Sequence, residues 1–321
     1  MTDLTNPIFN NEDAARRHFE ALRWPDGPIC PHCGCVDNAT ELKGKSTRAG
    51  VYKCKGCEKP FTATIGTVYE RSHIPLHKWL LATHLLCASK KGISAHQLWR
   101  MLGFGSYRTA WFMAHRIREG MNETLPKGTL GGPNKVVEID ETYVGGKEAN
   151  KHKSRRRTDG ARGAIGKAPI LSLVERDGSV RSFHVANVTA RTLRPLIVSH
   201  VNKASYIMTD EATVYPAIGR SFSGHGSVNH SAEEYVRAVF WHTNTVENYF
   251  SILKRGIVGV YHHVSETHLH RYAAEFDFRY NRRAALGTDD TTRAADAIRG
   301  IAGKRLTYRQ PHGQASAAPT A

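Results

Sequence analysis

The sequence predicts a mixed α/β fold around one sheet, preceded by two smaller segments. An alternating, β-prone stretch at 135–144 is followed by a hairpin pattern, a helical pattern, another short strand and further helical patterns. This order is typical of helices packed on a sheet. Ahead of it lie four cysteines in two close pairs, and then three helical patterns. We therefore expect an α/β domain behind a small cysteine-rich module and a helical unit.

These patterns divide the 321 residues into five expected segments. They are an N-terminal helix segment at 1–27, a cysteine-rich ribbon at 28–66, a helical unit at 74–122, the α/β domain at 132–285 and a polar tail at 286–321. The boundary before the α/β domain falls in KGTLGGP, because glycine and proline end a helix. The length fits about two domains of ordinary size.

Local patterns predict the individual elements. Before the boundary, helices are expected over 11–23 and, with a break at 103–105, over 74–121. In the α/β domain, strands at 170–174 and 180–185 flank an Asp-Gly turn, which favours a hairpin. A short buried strand at 205–208 ends at Asp210, where we expect a helix to start. Further helices are expected at 190–200, 243–255 and 266–283.

Charge predicts the class of partner. Lys and Arg number 45 against 29 Asp and Glu, a net charge of +16, which suits a polyanion such as nucleic acid. The most apolar stretch, 79–88, is far shorter than the ~20 residues of a membrane helix. The N-terminus has acids where a secretory signal would be basic. We expect a cytoplasmic protein with no membrane span, whose six cysteines are reduced or metal-bound.

The cysteine spacing predicts a structural zinc site. Cys30 with Cys33 and Cys54 with Cys57 form two CxxC pairs separated by 20 residues, and two such turns together supply four thiolates to tetrahedral Zn²⁺. A redox pair or two unrelated pairs are the alternatives. Cys35 lies close enough to Cys33 in sequence to replace a ligand.

Basic residues predict where nucleic acid would bind. The helical unit carries Arg108 and Arg116, and its break at 103–106 resembles the turn of a helix-turn-helix, which would place 107–118 in a major groove. A helical bundle with a solvated basic face is an equal alternative. The segment 147–167 has eight Lys or Arg against two acids. It is expected to be a mobile loop that contacts phosphates, with its basic run at Arg155, Arg156 and Arg157.

Three acids are candidates for metal-dependent chemistry. Asp140 lies in the first strand of the α/β domain, Asp210 follows a later strand, and Glu247 lies near the start of a helix. Carboxylates meeting at a sheet edge bind Mg²⁺, and two ions about 3.5–4 Å apart promote in-line attack on phosphorus. The ordinary alternatives are that Asp210 caps a helix, that Asn244 and Glu247 form a variant capping box, and that Asp140 is an exposed strand residue.

Residues near these acids add two expectations. Lys254 lies two helical turns beyond Glu247, with Arg255 beside it, so these cations could contact DNA phosphates. Three neighbouring acids could be confused with the true ligands: Glu138, Glu141 and Glu211.

Several stretches resemble bacterial insertion-sequence transposases of the DDE class, in the Merlin-like group with an ISXO2-like catalytic domain. The similar stretches are CPHCG, YKCKGCEKPFTATIGTVYE, VVEIDETYVGGKE, MTDEATVYPAIG, HTNTVENYFSILKRGIVGVYHHVS and FRYNRR, from about residue 15 to 283. The resemblance implies a ribonuclease H-like domain behind a zinc ribbon. It also implies a catalytic triad at Asp140, Asp210 and Glu247, dependence on Mg²⁺ or Mn²⁺, and a family lysine at Lys254.

The resemblance further implies binding of an element's inverted ends, cleavage of their 3′ ends and strand transfer into target DNA by a homodimer or larger oligomer. The alternative is a non-catalytic zinc-ribbon DNA-binding protein, either a repressor or a domesticated transposase. A metal-dependent nuclease without transfer activity is a third possibility. Incubation of element-end DNA with Mg²⁺ separates these functions, because a simple binder leaves the DNA intact.

Overall fold

The computed structural model describes residues 3–123, 128–146, 152–156, 166–228 and 242–308. The chain forms two compact units. The first contains the described residues up to Glu123 together with those from Arg282 onward, and the second contains the described residues between them. The C-terminal segment therefore returns to the first unit, which the sequence patterns did not predict.

A small antiparallel sheet follows the first helix, α1 (Glu12–Arg23). Its strands are β1 (Ala39–Glu41), β2 (Tyr52–Cys54) and β3 (Pro60–Phe61), paired in that order. Asn11 caps α1 by accepting a hydrogen bond from the N–H of Ala14, and the helix expected at 11–23 is confirmed. The rings of Tyr52 and Phe61 lie 5.6 and 5.7 Å from the ring of Trp24. These aromatic contacts pack the ribbon against the end of α1.

The described part of the first unit has four more helices. They are α2 (Leu76–Ala88), α3 (Ala95–Leu102), α4 (Tyr107–Met121) and, near the C-terminus, α9 (Asp290–Arg299). The first three confirm the expected helical blocks, and Gly103 ends α3 in the left-handed conformation. The fourth lies within the segment expected to be a polar tail, 286–321, where the sequence patterns did not predict a helix.

Buried contacts hold α9 in the first unit. Ala297 and Ile298 are buried, and Arg293 donates a hydrogen bond to the Cys87 carbonyl of α2 at 3.0 Å. The sequence of α9, DTTRAADAIR, contains one large apolar residue. Its buried side consists mainly of alanine and an arginine stem, which is why an apolar pattern did not reveal it.

The second unit is built on a five-stranded sheet. Its strands are β4 (Val136–Val144), β5 (Ala168–Glu175), β6 (Val180–His184), β7 (Tyr206–Thr209) and β8 (Gly224–Ser227). They pair in the order β6-β5-β4-β7-β8. The β4, β5 and β6 strands are antiparallel neighbours, whereas β7 and β8 continue the sheet parallel to β4. This sheet confirms the expected mixed α/β class and the hairpin.

Helices cover both faces of this sheet. On one face lie α5 (Ala190–His200) and the short α6 (Tyr215–Gly219), whose apolar residues pack against Val137 and Ile139 of β4. On the other lie α7 (Asn244–Gly256) and α8 (Glu266–Asn281), which pack against Val144 of β4 and Ile170 of β5. Side chains alternate along a strand, so successive residues of β4 face opposite helical layers. Within the described ranges, no helix has the length and apolarity to cross a bilayer.

The segment after β7 differs from the expectation. The helix expected at Asp210 begins only at Tyr215, because the Asp210 carboxylate accepts a hydrogen bond from the N–H of Ala212 at 3.1 Å and forms a turn there. Strand β8 was not expected, since its sequence is GHGS. A Cβ atom at Gly224 would lie 2.5 Å from the Tyr206 ring, so glycine permits this close strand pairing.

Candidate active site

Two candidate acids lie side by side where the parallel strands end. Glu138 on β4 is paired with Met208 on β7. The register continued by two residues places Asp140 beside Asp210, which directly follows β7. Both side chains are half-buried. The sheet therefore brings together two acids that are 70 residues apart in the chain.

The third candidate acid lies on the helix that covers this part of the sheet. Glu247 is in the first turn of α7 and is half-buried. Its Oε1 accepts a hydrogen bond from the Thr243 hydroxyl at 2.9 Å. The start of α7 is joined to β4 by Glu138, whose Oε2 accepts hydrogen bonds from the N–H groups of Thr245 and Val246. Glu138 and Asp140 share one face of β4, so Asp140 also faces α7.

Negative charge is concentrated at this junction. Burial, followed by the negative charges of Glu141, Asp210 and Glu247, raises the pKa of the Asp140 carboxyl to about 8. Neighbouring carboxylates repel one another when they are ionised, and a bound cation offsets this repulsion. The donors are carboxylate oxygens, which suit Mg²⁺ or Mn²⁺. The residues present therefore fit the divalent ions that the resemblance implies.

Glu141 points to the opposite face of β4. Its Oε2 accepts a hydrogen bond from the Tyr215 hydroxyl at 2.5 Å, and Tyr215 belongs to the core under α5 and α6. Burial is the main cause of the raised pKa of Glu141. Glu211, by contrast, is exposed beside Asp210.

The cysteine pairs form one compact cluster. In the described part of the chain, the Sγ atoms of Cys30, Cys33, Cys54 and Cys57 all lie within 4.8 Å of one another. Two of these separations are 3.7 Å, for Cys30 and Cys57, and 3.5 Å, for Cys33 and Cys54. Sulfur ligands 2.3 Å from a tetrahedral zinc ion are about 3.8 Å apart. The cluster therefore fits zinc, and Cys35 is outside the set of four.

The thiolate form that zinc requires is favoured at one cysteine. The backbone N–H of Cys57 is the main cause that lowers the pKa of the Cys54 thiol to about 6, whereas the pKa values of the neighbouring Cys33 and Cys57 thiols are raised. A thiolate, not a thiol, binds the metal. Because the four sulfur atoms lie so close together, both CxxC pairs contribute to a single site, as the spacing predicted. The alternative of two unrelated pairs was wrong.

Two family models match the chain where these sites lie. Residues 10–60 match the transposase zinc-ribbon domain, and residues 129–281 match the ISXO2-like transposase domain. The chain therefore carries an ISXO2-like transposase domain behind a transposase zinc ribbon. It is also similar to an uncharacterized protein in transposable element ISH50 of Halobacterium salinarum, with 29% identity over 287 residues that cover 84% of this chain and 91% of that protein. The resemblance is confirmed: this is a transposase of an insertion sequence, and its domains imply that it binds DNA.

The predicted DNA-contacting arginines of the transposase's helical unit have different surroundings. Arg108 is exposed at the start of α4, with its guanidinium 5.7 Å from the ring centre of Tyr308. Arg116 is half-buried, donates a hydrogen bond to the Glu70 carbonyl at 2.7 Å and lies over the ring of Trp79. Arg108 is therefore accessible to solvent, whereas the guanidinium of Arg116 already has partners inside the unit.

The other predicted contacts lie in the second unit of the transposase. Lys254 and Arg255 are exposed near the end of α7, and Arg255 donates a hydrogen bond to Ser251. Arg156 is exposed directly after a short 3-10 turn at Lys153–Arg155. The side chain of Arg155, all of Arg157 and most of the expected loop at 147–167 are outside the described residues.

Sequence reasoning treated Glu138 only as an acid that could be confused with a ligand. It is fully buried, with 0% exposure, and it joins the strand that carries Asp140 to the helix that carries Glu247. A signal was present in the sequence, because strand alternation puts Glu138 and Asp140 on the same face. An acid at a buried strand position needs a partner, but the sequence did not reveal that the partner lies more than 100 residues later.

Proposed function

We propose that this transposase holds divalent ions with Asp140, Asp210 and Glu247 and uses them to cleave element ends and to transfer the strands into target DNA. The observation that carries the proposal is the crowding of negative charge at the junction of β4, β7 and α7. Of the acids around it, Glu141 is engaged by Tyr215 on the other face and Glu138 is engaged by α7. The proposed ligand set is Asp140, Asp210 and Glu247, which lie on β4, directly after β7 and on α7.

We further propose that the second unit is a ribonuclease H-like domain. The support is its sheet, in which three antiparallel strands are extended by two parallel ones, with helices on both faces. Such a sheet places Asp140 on a central strand and Asp210 at the end of its parallel neighbour. The acids are thus fixed by rigid elements, as a metal site requires.

The roles of the side chains follow from their positions. Asp140 and Asp210 supply oxygens from the sheet, and Glu247 supplies oxygens from the facing helix. Two bound ions would activate a water or a 3′-hydroxyl and stabilise the leaving oxygen during attack on phosphorus. Lys254 lies two turns, about 10 Å, from Glu247 along α7, so it contacts the DNA backbone beside the reacting phosphate.

DNA binding is proposed to involve both units. The ribbon and the helical unit bind the inverted ends, with Arg108 at the exposed start of α4, since the first residues of a recognition helix approach the bases. The basic segment 147–167 contacts further phosphates, because each neutralised phosphate strengthens binding at low salt. The active assembly is a homodimer or larger oligomer on DNA, since two element ends have to be joined.

The test uses the zinc-loaded full chain and duplex DNA carrying the inverted repeats that flank its coding region. Glu247→Gln is expected to abolish strand cleavage in Mg²⁺ and to leave binding of the DNA ends unchanged, because the amide keeps the shape but loses the charge that holds the ion. The matched control is Glu211→Gln, which removes an exposed acid next to Asp210 and should cleave like the wild type.

The same assay separates the competing functions. A wild-type chain that retards the DNA and never nicks it in Mg²⁺ or Mn²⁺ is a non-catalytic binder. A chain that nicks the DNA and never joins it to a target is a nuclease. Normal cleavage by Glu247→Gln would remove this residue from the mechanism.

A further inference from the structure

We propose that Glu138 is a positioning residue that sets the place of Glu247 relative to Asp140. This inference rests on the proposed function, in which both acids hold divalent ions. Glu138 itself is fully buried with 0% exposure. Its described partners belong to the start of α7, the segment that enters it and one arginine. It therefore acts on the ions through the helix and does not touch the reacting atoms.

Helix α7 begins without a cap from its own segment. The N–H groups in the first turn of a helix have no partner within the helix. Thr243 precedes α7 and makes no side-chain hydrogen bond to them. Glu138 takes that role from another element: its Oε2 accepts from the N–H of Thr245 at 2.7 Å and from that of Val246 at 3.0 Å. Its Oε1 accepts from the Thr245 hydroxyl at 2.9 Å.

The Glu138 carboxylate is also paired with a cation. Nε of Arg176 donates to Oε1 of Glu138 at 2.6 Å, and Nη2 of Arg176 donates to the His242 carbonyl at 2.9 Å. The His242 ring lies 3.2 Å from the same carboxylate. Arg176 follows β5 in the chain, so the ion pair joins two neighbouring strands, and the hydrogen bond to His242 links them to the segment that leads into α7. A carboxylate at a helix N-terminus also interacts favourably with the helix dipole.

Both proposed ligands lie close in sequence to the contact between Glu138 and α7. Asp140 lies two residues beyond Glu138 on the same face of β4, about 7 Å away, and Glu247 lies two residues beyond Thr245 on α7. Each proposed ligand is thus within two residues of the contact between strand and helix. Loss of that contact lets α7 shift, which moves Glu247 away from Asp140 while the sheet stays intact. Residues that orient metal ligands typically change metal affinity by about 10–100-fold when replaced.

The test measures metal binding as well as cleavage. The zinc-loaded full chain is titrated with MnCl₂, and free Mn²⁺ is followed by its electron paramagnetic resonance signal. Glu138→Gln is expected to weaken Mn²⁺ binding and to slow single-turnover cleavage by about tenfold or more, with zinc content and binding of DNA ends unchanged. Thr245→Val removes one of the hydrogen bonds while keeping the shape, and should shift Mn²⁺ binding in the same direction by a few-fold.

The matched control is Glu275→Gln. Glu275 is another carboxylate with 0% exposure that is paired with an arginine, Arg279, and accepts a hydrogen bond from the Tyr261 hydroxyl. It lies on α8 and takes no part in capping α7. A general loss of stability from a buried, neutralised acid would therefore appear in both Glu138→Gln and Glu275→Gln. The shift in Mn²⁺ binding is expected only in Glu138→Gln.

The outcomes separate this inference from the proposed function. If Glu247→Gln binds Mn²⁺ and cleaves like the wild type, the proposed ligand set is wrong. Suppose that Glu247→Gln loses both Mn²⁺ binding and cleavage, while Glu138→Gln and Thr245→Val bind Mn²⁺ as tightly as Glu275→Gln does. Then only the positioning role is wrong. If Glu138→Gln does not fold, Thr245→Val decides by itself: unchanged Mn²⁺ binding overturns the proposal, and a shift supports it.

Discussion

The zinc cluster and the acidic junction are two candidate metal sites built in opposite ways. The ribbon takes its ligands from two short turns, Cys30 to Cys33 and Cys54 to Cys57, which lie side by side in one small sheet region. The acidic junction takes its candidate ligands from a strand, the end of a second strand and a helix, over more than 100 residues. The first site is local in sequence, and the second depends on the whole fold of its unit.

This difference changes what holds each site together. In the ribbon the metal itself stabilises the structure, because a segment this small has little core and four thiolates supply most of the fixed geometry. At the acidic junction the surrounding protein provides the geometry: strand register places Asp140 beside Asp210, and the Glu138 contact places α7. Removal of the metal is therefore expected to unfold the ribbon and to leave the sheet of the second unit folded.

The largest expected effect is at the cysteine cluster. The apparent binding free energy of structural zinc is ~10–16 kcal/mol over four ligands, so loss of one thiolate weakens zinc binding by roughly a hundredfold or more. Cys54→Ser is expected to lose zinc and to unfold the ribbon, as measured by metal content and by circular dichroism. Titration with MnCl₂ should still detect the acidic site, which lies in the other unit.

Cys35→Ser is the control for this variant, because Cys35 is near the cluster and outside its four ligands. It should keep its zinc. Loss of zinc from Cys35→Ser, or its retention by Cys54→Ser, would show that the ligand set differs from the two CxxC pairs. Loss of Mn²⁺ binding in Cys54→Ser would show that the two sites depend on each other.

A smaller effect on stability is expected at Glu141, the residue next to Asp140 on β4. Tyr215→Phe removes the hydroxyl that donates to Glu141. Because Glu141 is half-buried, loss of a hydrogen bond to its charged form is expected to lower the free energy of unfolding by about 2 kcal/mol. Denaturant titration of the full chain measures this change. We expect only a minor change in zinc content, since Tyr215 lies in the core of the second unit.

Tyr143→Phe is the matched control on the strand that carries Glu141. The described part of the chain shows no hydrogen bond from the Tyr143 hydroxyl, so its removal should change the free energy of unfolding by less than about 0.5 kcal/mol. Equal effects of the two substitutions would mean that the contact between Tyr215 and Glu141 does not support the junction.

Sites and elements that depend on residues close in sequence could be predicted from the sequence alone. The two CxxC pairs, the hairpin around Asp177 and the helices before Met121 were all predicted, because spacing, turn residues and helical periodicity act over a few positions. Asp140 was selected in the first strand of the α/β domain, and Asp210 was selected directly after a later strand. Their adjacency became definite only with the register between β4 and β7.

Elements and contacts whose partners are far away in the chain could not be predicted from the sequence. Helix α9 is buried by residues some 200 positions earlier, such as Cys87, and β8 has a glycine-rich sequence that does not favour a strand. Glu138 resembles any other acid near a candidate site until its contacts with Thr245 and Val246 are known. Pattern analysis of single segments cannot supply contacts of this kind.

The smallest expected effect concerns DNA at the acidic junction. Lys254 is exposed, two turns beyond Glu247 on the same side of α7. If it neutralises one phosphate, Lys254→Ala should reduce the slope of log affinity against log salt by about 0.9, as measured by fluorescence anisotropy with element-end duplex. Its control is Lys203→Ala, an exposed lysine just before β7, at the opposite end of that strand from Asp210. An equal loss of slope in both variants would indicate diffuse attraction by the net charge, whereas a loss confined to Lys254→Ala would place the DNA backbone beside the helix that carries Glu247.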